Sequence, residues 1–233
     1  MAALLAPFLS CPGAPLIEDL STYLELLLRW NARLNLTAVR DPEQIVTRHF
    51  GESLFAAAHL FSAQAGPPAA GHCLLDLGSG AGFPGVPIKL YARELRLVLV
   101  ESKYRKATFL RELARALRLT ATEIFAGRAQ DYPPPAPGSP LTLTLRAVES
   151  FDQVLPAAAR LLGSAQRPAQ AAGSGVSASA SPLPLACPRR LALLIGSGQV
   201  ERARQLLPDF AWSAPLAIPQ SSARVVLVGN LAG

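Results

Sequence analysis

A short apolar run that ends in a cluster of glycines constrains this chain more than any other feature. Cys73–Leu77 reads Cys-Leu-Leu-Asp-Leu and leads directly into Gly78-Ser-Gly-Ala-Gly-Phe-Pro-Gly85. A buried strand followed by a glycine-rich turn lets the backbone approach a ligand closely, because glycine has no Cβ to collide with it. The segment therefore predicts an α/β fold with a ligand at the end of this strand.

Further apolar runs follow the glycine cluster and alternate with helical patterns. A helix is predicted over 104–117, where Ala107, Leu110, Leu113 and Leu117 share one face. Strands are predicted at 95–101, 122–125, 141–145, 191–195 and 224–228. Because these runs are apolar without polar alternation, we expect a mostly parallel sheet that helices cover on both faces.

The chain before the glycine cluster has a different character. Apolar residues repeat at helical spacing over 16–30, and 31–37 is typical of a loop. Asp41 and Pro42 are typical of an N-cap and a first helical residue, which predicts a second helix reaching about Leu60. We therefore expect a helical cover at 1–70 and a core at 71–233. Within that core, 163–188 is rich in Ala, Ser, Gly and Pro and predicts a flexible insertion.

The composition excludes several classes of protein. Hydrophobic residues make up 50% of the 233, which is too apolar for a disordered chain. No apolar run approaches the roughly 18 residues of a membrane-spanning helix, and the first ten residues lack the basic segment of a secretion signal. Cys11, Cys73 and Cys187 are too scattered for a disulfide framework or a zinc site. We expect a cytoplasmic monomer that needs no metal and no membrane.

The basic charge allows two interpretations. The formal net charge is +6, and only Lys89, Lys103 and Lys106 among the 22 basic residues are lysine. Arginine suits phosphate because its planar fork donates two parallel hydrogen bonds. The same excess also follows from a codon bias that turns Lys into Arg, and the basic residues around 103–118 also fit an ordinary solvated helix face. Charge alone therefore leaves nucleic-acid binding open.

Two cofactors use a glycine-rich turn of this kind. A dinucleotide needs Gly-x-Gly-x-x-Gly, which Gly80, Gly82 and Gly85 satisfy, but the strand ends near Leu77 and the first glycine should follow it at once. S-adenosylmethionine enzymes have an acidic residue, one residue and then Gly-x-Gly-x-Gly, which 76–82 matches. Glu101 follows the next strand, where a carboxylate can accept hydrogen bonds from ribose hydroxyls. A tight turn that binds nothing stays an alternative.

Several segments together resemble one family. They are Asn35-Leu-Thr37, Arg48-His49 with Glu52-Ser53, 76–85, Glu101-Ser102 with Arg105-Lys106 and Phe109-Leu110, Gly127-Arg-Ala129 and Arg146-Ala147. In this order they resemble the small-subunit ribosomal RNA methyltransferase G family, from about residue 20 to 228. The resemblance implies a class I S-adenosylmethionine-dependent fold, Rossmann-like with a seven-stranded sheet. It also implies methyl transfer to N7 of a guanine in 16S ribosomal RNA, free or within the small ribosomal subunit.

The resemblance also implies roles for individual residues. Residues that would bind the cofactor are Asp76, Gly78, Gly80, Gly82, Phe83, Glu101, Arg128, Ala129, Gln130 and Arg146. Those that would position the reacting groups are Arg105, Arg146 and Arg224. The RNA side would include Asn35, Thr37, His49, Arg105 and Lys106. Because guanine N7 carries an exposed lone pair, its methylation needs no general base.

The chain departs from the family pattern at a few positions. Ile195 stands where the family has Lys, and Arg189 or Arg190 could replace that charge. Gln130 replaces a common Glu, and Glu52 a common Asp. Two other functions stay open, a small-molecule methyltransferase and a non-catalytic RNA-binding relic of the family.

Overall fold

The structure, a computed structural model, describes residues 1–61, 68–136, 138–147, 150–163 and 189–231. The insertion predicted at 163–188 lies outside the described residues except for Gly163, the last residue of a helix. No helix in these ranges is both long enough and apolar enough to cross a bilayer.

Helices occupy the N-terminal part of the chain and several of the connections between strands. The α-helices are α1 (Ala2–Leu5), α2 (Ala14–Leu34), α3 (Pro42–Ile45), α4 (Glu52–Leu60), α5 (Gly85–Tyr91), α6 (Tyr104–Ala116), α7 (Phe151–Gly163) and α8 (Val200–Leu206). A π-helical segment, Val46–Gly51, joins α3 to α4 without a break. Short 3-10 turns lie at Ala129–Asp131 and Ser197–Gln199.

The strands form one sheet. They are β1 (Cys73–Leu77), β2 (Arg96–Val100), β3 (Thr122–Phe125), β4 (Leu141–Arg146), β5 (Arg189–Gly196), β6 (Phe210–Trp212), β7 (Leu216–Ala217) and β8 (Arg224–Leu231). The order is β3-β2-β1-β4-β5-β8-β6, and the two-residue β7 pairs with β8 beside this path. The path of the described sheet thus has seven strands, the number that the resemblance implies, and β7 is an additional short strand.

The strand order positions the site. β1 to β5 run parallel, and β8 pairs antiparallel with β5. The chain moves outward from β1 to β3 and then returns to place β4 on the other side of β1. Ligands of open α/β sheets bind at such a reversal, outside the carboxyl ends of the strands. Here that place lies beyond Leu77 and Arg146.

Two apolar clusters cover the two faces of the sheet, as the apolar strand runs predict. β1 shows the division: Leu74 joins the cluster beneath α1 to α6, whereas Cys73, Leu75 and Leu77 join the cluster beneath α7 and α8. The N-terminal helices therefore pack directly on the sheet and share its core. Burial of this kind stabilises by about 25 cal/mol per Å² of apolar surface.

Within residues 1–61, the short helix α1 was not predicted, and the two predicted helices each differ from the prediction in one detail. Asp41 caps α3 as predicted, accepting a hydrogen bond from Gln44 N at 2.8 Å. The first helix continues to Leu34 instead of ending at Trp30, because Asn31 is buried and hydrogen-bonds the backbone of Thr37 in both directions at 3.0 Å. The second helix widens into the π segment, which apolar periodicity does not reveal.

Candidate active site

A cavity of about 410 Å³ opens at the carboxyl ends of β1, β2 and β4. Its lining brings together seven of the predicted site residues, contributed by β1, β2, β4, α6 and the 3-10 turn: Gly78, Glu101, Lys106, Arg128, Ala129, Gln130 and Arg146. The parallel register makes this possible, since the strand ends meet at one edge of the sheet.

The glycine turn is held to the neighbouring strand through its backbone. Val100 O accepts hydrogen bonds from Gly78 N at 2.9 Å and from Ser79 N at 3.0 Å. Gly78 has a φ of +68°, in the left-handed region that favours glycine. At Gly82, a Cβ would lie 2.7 Å from the Tyr23 hydroxyl, so a larger residue would push α2 away. Glycine is thus required at position 78 for the backbone conformation and at position 82 for lack of space.

Two backbone N–H groups, one of them in the glycine turn, hold the Glu101 side chain in place. Its carboxylate accepts hydrogen bonds from Gly80 N at 2.9 Å and from Lys103 N at 2.7 Å, one to each oxygen. The residue is buried and still lines the cavity. Each carboxylate oxygen has a second acceptor site, so this fixed group can receive hydroxyl donors from a ligand.

Asp76 lies beneath the turn and does not line the cavity. Its Oδ1 accepts a hydrogen bond from Thr144 Oγ1 at 2.7 Å, whereas its buried Oδ2 has no hydrogen-bond partner among the described residues. Burial raises the pKa of this carboxyl to about 6. Asp76 would therefore affect cofactor binding indirectly, through the shape and charge of the glycine turn above it.

Phe83 also lies away from the cavity lining and forms an aromatic cluster with the helical cover. Its ring stacks on Tyr23 with centroids 5.3 Å apart and contacts His49 at 4.7 Å and Phe50 at 5.6 Å. The Tyr23 hydroxyl donates a hydrogen bond to Ala81 O within the turn. α2 and the π segment therefore pack against the glycine turn and support it.

Arg146 connects the cavity to the helical cover. Its Nη2 lies 2.7 Å from Arg48 O, 2.9 Å from His49 Nδ1 and 3.0 Å from Glu52 Oε2. Glu52 also pairs with Arg224, whose Nε is 2.9 Å from the same oxygen. Burial lowers the pKa of Arg146 to about 10, which leaves it cationic at neutral pH. Arg146 and Arg224, two of the residues predicted to position the reacting groups, thus contact the same carboxylate, that of Glu52.

His49 is neutral in this arrangement. The Arg146 guanidinium can only donate, so Nδ1 accepts and the proton is assigned to Nε2, which donates to Thr37 Oγ1 at 2.7 Å. Burial, and then the positive charge of Arg146, lower the pKa of His49 to about 3. The predicted RNA-side residues His49 and Thr37 therefore form one chain of hydrogen bonds that leads to the cavity edge.

Two predicted residues do not join the site. Asn35 ends α2 with a φ of +46°, and its side chain accepts from the exposed Arg40 at 3.0 Å. Arg105 is exposed on α6 outside the cavity lining, although its neighbour Lys106 belongs to it. Neither lies against the groups that surround Arg146.

The proposed compensation for Ile195 is wrong. Arg189 and Arg190 pair with Leu141 and Thr142 at the amino ends of the parallel strands, so they lie at the edge of the sheet opposite the cavity. Arg190 donates to Leu60 O at 2.6 Å and stacks on Phe61 instead. Strand register decides this, because residues five positions apart on a strand lie roughly 17 Å from each other.

Two residues at this site were absent from the predicted set. Glu52 occurs in the family-like segment, but only the folded chain places it between two arginines. Asn31 orders the loop that carries Thr37, and its one sequence signal is a polar residue in the apolar stripe of α2. No cluster of three His, Cys, Asp or Glu side chains able to hold a metal occurs in the described part of the chain.

Comparison with known proteins finds one family. A family model described as rRNA small subunit methyltransferase G (GidB) matches residues 16–169. A protein of Xanthomonas axonopodis pv. citri named Ribosomal RNA small subunit methyltransferase G is 38% identical over 150 residues, 64% of each chain. One of the same name from Nitrosomonas eutropha is 36% identical over 148 residues, 63% of this chain and 64% of that protein. The chain thus spans somewhat less than two thirds of the length of the curated relatives it matches.

Solved structures show the fold. Magnesium protoporphyrin IX methyltransferase from Synechocystis PCC 6803 superposes with a TM-score of 0.57 at 10% identity, covering 90% of this chain and 97% of that one. A ribosomal protein L11 methylase from Lactobacillus delbrueckii subsp. bulgaricus has a TM-score of 0.53 at 10% identity and covers 80% of each. The fold is that of class I S-adenosylmethionine-dependent methyltransferases, as predicted.

Proposed function

Because the chain belongs to the rRNA small subunit methyltransferase G family, we propose that it transfers a methyl group from S-adenosylmethionine to N7 of a guanine in 16S ribosomal RNA. The observation that carries this proposal is the cavity at the reversal of strand order, which collects residues of the glycine turn, Glu101 and Arg146 in one place. The cavity argues against a non-catalytic relic, whereas a small-molecule methyltransferase would share it. Membership in the family favours ribosomal RNA over that second alternative.

The residues present fit the cofactor. The cavity of about 410 Å³ falls within the range of ligand pockets, roughly 300–1,000 Å³. Gly78 presents bare backbone to it, with nothing within 4 Å of the place where a Cβ would stand. Glu101 would accept the ribose hydroxyls, and the backbone of Ala129 and Gln130 would frame the base. Bound there, the cofactor supplies an electrophilic methyl group on a sulfonium.

The chain's own residues have a positioning task in this reaction. Guanine N7 already carries the attacking lone pair, so no side chain has to remove a proton. Correct alignment of reacting groups can supply up to roughly 7–11 kcal/mol of barrier reduction. Arg146 is cationic and held by three acceptors, and His49 is neutral. This pair can orient a guanine without protonating N7, because Arg146 keeps its proton at neutral pH and the proton of His49 is donated to Thr37.

We propose that residues 1–70 act as a cover that closes the RNA side of this site. The contacts of Tyr23 with Ala81 and of His49 with Arg146 support this, because both join the cover to cavity-forming segments. The basic residues Lys103 and Lys106, which line the cavity, and the exposed Arg105 beside it would bind phosphates of the RNA. With this substrate, the chain would work in the cytoplasm; the monomer expected from the sequence stays a prediction.

A methylation assay with mapped product tests the proposal. Purified protein, S-adenosylmethionine with a labelled methyl group, and either naked 16S RNA or small subunits from a strain lacking this gene are combined. We expect label at N7 of one guanine, detected by chain cleavage at 7-methylguanosine, and none with the G80D variant. Transfer to small molecules alone, or binding of RNA without any cofactor binding in calorimetry, would overturn the proposal in favour of one of the alternatives.

A further inference from the structure

We infer that Glu52 is a positioning residue for this reaction: its buried carboxylate fixes the Arg146 guanidinium in the orientation that the guanine substrate meets at the cavity edge. The inference rests on the proposed function and adds to it a residue that acts through another. Glu52 itself is not part of the cavity lining, whereas Arg146 is.

The first support is the burial of Glu52 between two cations. The residue is 3% exposed, and its Oε2 lies 3.0 Å from Arg146 Nη2 and 2.9 Å from Arg224 Nε. The two arginines come from β4 and β8, which are not neighbours in the sheet. A single carboxylate from the helical cover thus ties two strands together at the edge where the cavity opens.

The second support is the local backbone. Among the described residues, Glu52 directly follows the one π-helical segment, Val46–Gly51. The segment and the residue after it direct Arg48 O, His49 Nδ1 and Glu52 Oε2 onto Arg146 Nη2. Three acceptors from five consecutive residues surround one nitrogen. π-Helical turns are rare and frequently occur at functional sites.

The third support is the difference between these acceptors. His49 is neutral and Arg48 offers only a carbonyl, so Glu52 supplies the one negative charge within ion-pair distance of Arg146 in the described part of the chain. A buried guanidinium without a counter-charge is poorly solvated and would turn toward water. All three contacts use Nη2, and no described residue hydrogen-bonds Nη1. Glu52 therefore holds one side of the guanidinium and leaves the other for the substrate.

The test compares three variants at Glu52 and its partner. E52Q keeps the shape and loses the charge, and E52D keeps the charge on a shorter side chain. The double variant E52Q/R224Q removes one negative and one positive charge, so the net charge of the buried group stays that of the wild type if E52Q alone fails to fold. For each variant, we would measure the single-turnover methylation rate with saturating RNA, the cofactor Kd by calorimetry and the thermal midpoint.

We expect E52Q and E52Q/R224Q to methylate on the order of 100-fold more slowly than the wild type, the scale of a misplacement of about 1 Å. Cofactor Kd should change less than twofold, and E52D should recover at least part of the rate. Wild-type rates in a folded E52Q or double variant would overturn the inference, since Glu52 would then only balance charge. Parallel loss of rate and cofactor affinity would also overturn it, in favour of a general structural role. A wild-type protein that methylates no RNA would instead refute the proposed function itself.

Discussion

Arg146 Nη2 and Glu52 Oε2 lie 3.0 Å apart although 94 positions separate them in the chain. Arg146 ends β4, and Glu52 begins α4, so their contact joins the sheet to the helical cover. Both side chains are at most 8% exposed. The sheet and the helical cover are therefore both needed to hold the Arg146 cation at the cavity edge.

Replacing Arg146 should separate activity from stability. We expect R146A to lower the methylation rate on the order of 100-fold, because the orienting cation is lost. The fall in the thermal midpoint should be modest by comparison, because Glu52 keeps Arg224 as its partner. R202A, which removes an exposed ion pair with Asp152, is the matched control and should leave the rate unchanged. If the lower rate of R146A is explained by a smaller amount of folded protein, Arg146 has only a structural role.

Cofactor binding should depend on Gly80. Gly80 N donates to Glu101 Oε2 at 2.9 Å, so the carboxylate of G80D would lie next to another buried carboxylate. Calorimetry should detect no S-adenosylmethionine binding to G80D. G71D introduces the same residue at another glycine of positive φ, at the opposite edge of the sheet, and should bind normally. Undiminished affinity in G80D would show that the cofactor does not use this turn.

The link between the cover and the glycine turn should be measurable at Tyr23. Y23F removes the donor to Ala81 O and leaves a buried carbonyl unpaired. We expect urea unfolding to show a loss of about 1–3 kcal/mol, together with a weaker cofactor affinity. Y91F, at a half-buried tyrosine of α5, provides the comparison. If Y23F matches the wild type in both measurements, the cover does not support the turn through this bond.

RNA binding should respond to salt through the basic residues beside the cavity. Each phosphate contact to single-stranded RNA contributes about −0.7 to the slope of log K against log salt concentration. R105Q/K106Q should therefore make this slope shallower by about 1.4 in filter binding, while cofactor affinity changes little. The variant R202Q, at an arginine already paired with Asp152, should leave the slope as it is. A slope that does not change in R105Q/K106Q would place the RNA elsewhere.

Acid should destabilise the protein through His49. Burial lowers its pKa to about 3, so below its unfolded pKa of about 6.5 the native state binds fewer protons than the unfolded chain. His72, whose pKa burial lowers to about 4, acts in the same direction, whereas the raised pKa of Asp76 opposes both. The free energy of unfolding, measured with urea, should be lower at pH 5 than at pH 7 in the wild type. In H49Q this decrease should be smaller by about 2 kcal/mol. H59Q, at an exposed histidine, should behave as the wild type.

Local patterns predicted most of the sheet. β1 and β3 begin and end where predicted, β4 and α6 differ from the predictions by one residue at one end, and β2 is shorter by one residue at each end. β5 begins two residues earlier and ends one residue later than predicted, and β8 ends three residues later. The short antiparallel strands β6 and β7 escaped prediction, since two or three residues carry no period. The π segment escaped as well, because a slightly wider turn leaves the apolar spacing almost unchanged.

The position of Gly78 and Glu101 beside the cavity was also predictable from the sequence. Each follows directly after a strand, and a parallel sheet brings the ends of these strands to one edge. The support of Arg146 was not readable in the same way. His49 and Glu52 come from one segment of the helical cover and Arg224 from β8, both far from Arg146 in the chain. The interpretation of Arg189 and Arg190 also placed them at the wrong edge of the sheet.

The amino-acid sequence by itself determined the class of fold, the place of the glycine turn and the family, because these depend on local backbone preference and on residues adjacent in the chain. Only the tertiary structure decided which arginines share Glu52, that His49 is neutral, and that Asn35 and Arg105 lie outside the cavity. Those properties depend on distance, burial and counter-charge, and these quantities exist only after segments far apart in the chain have packed together.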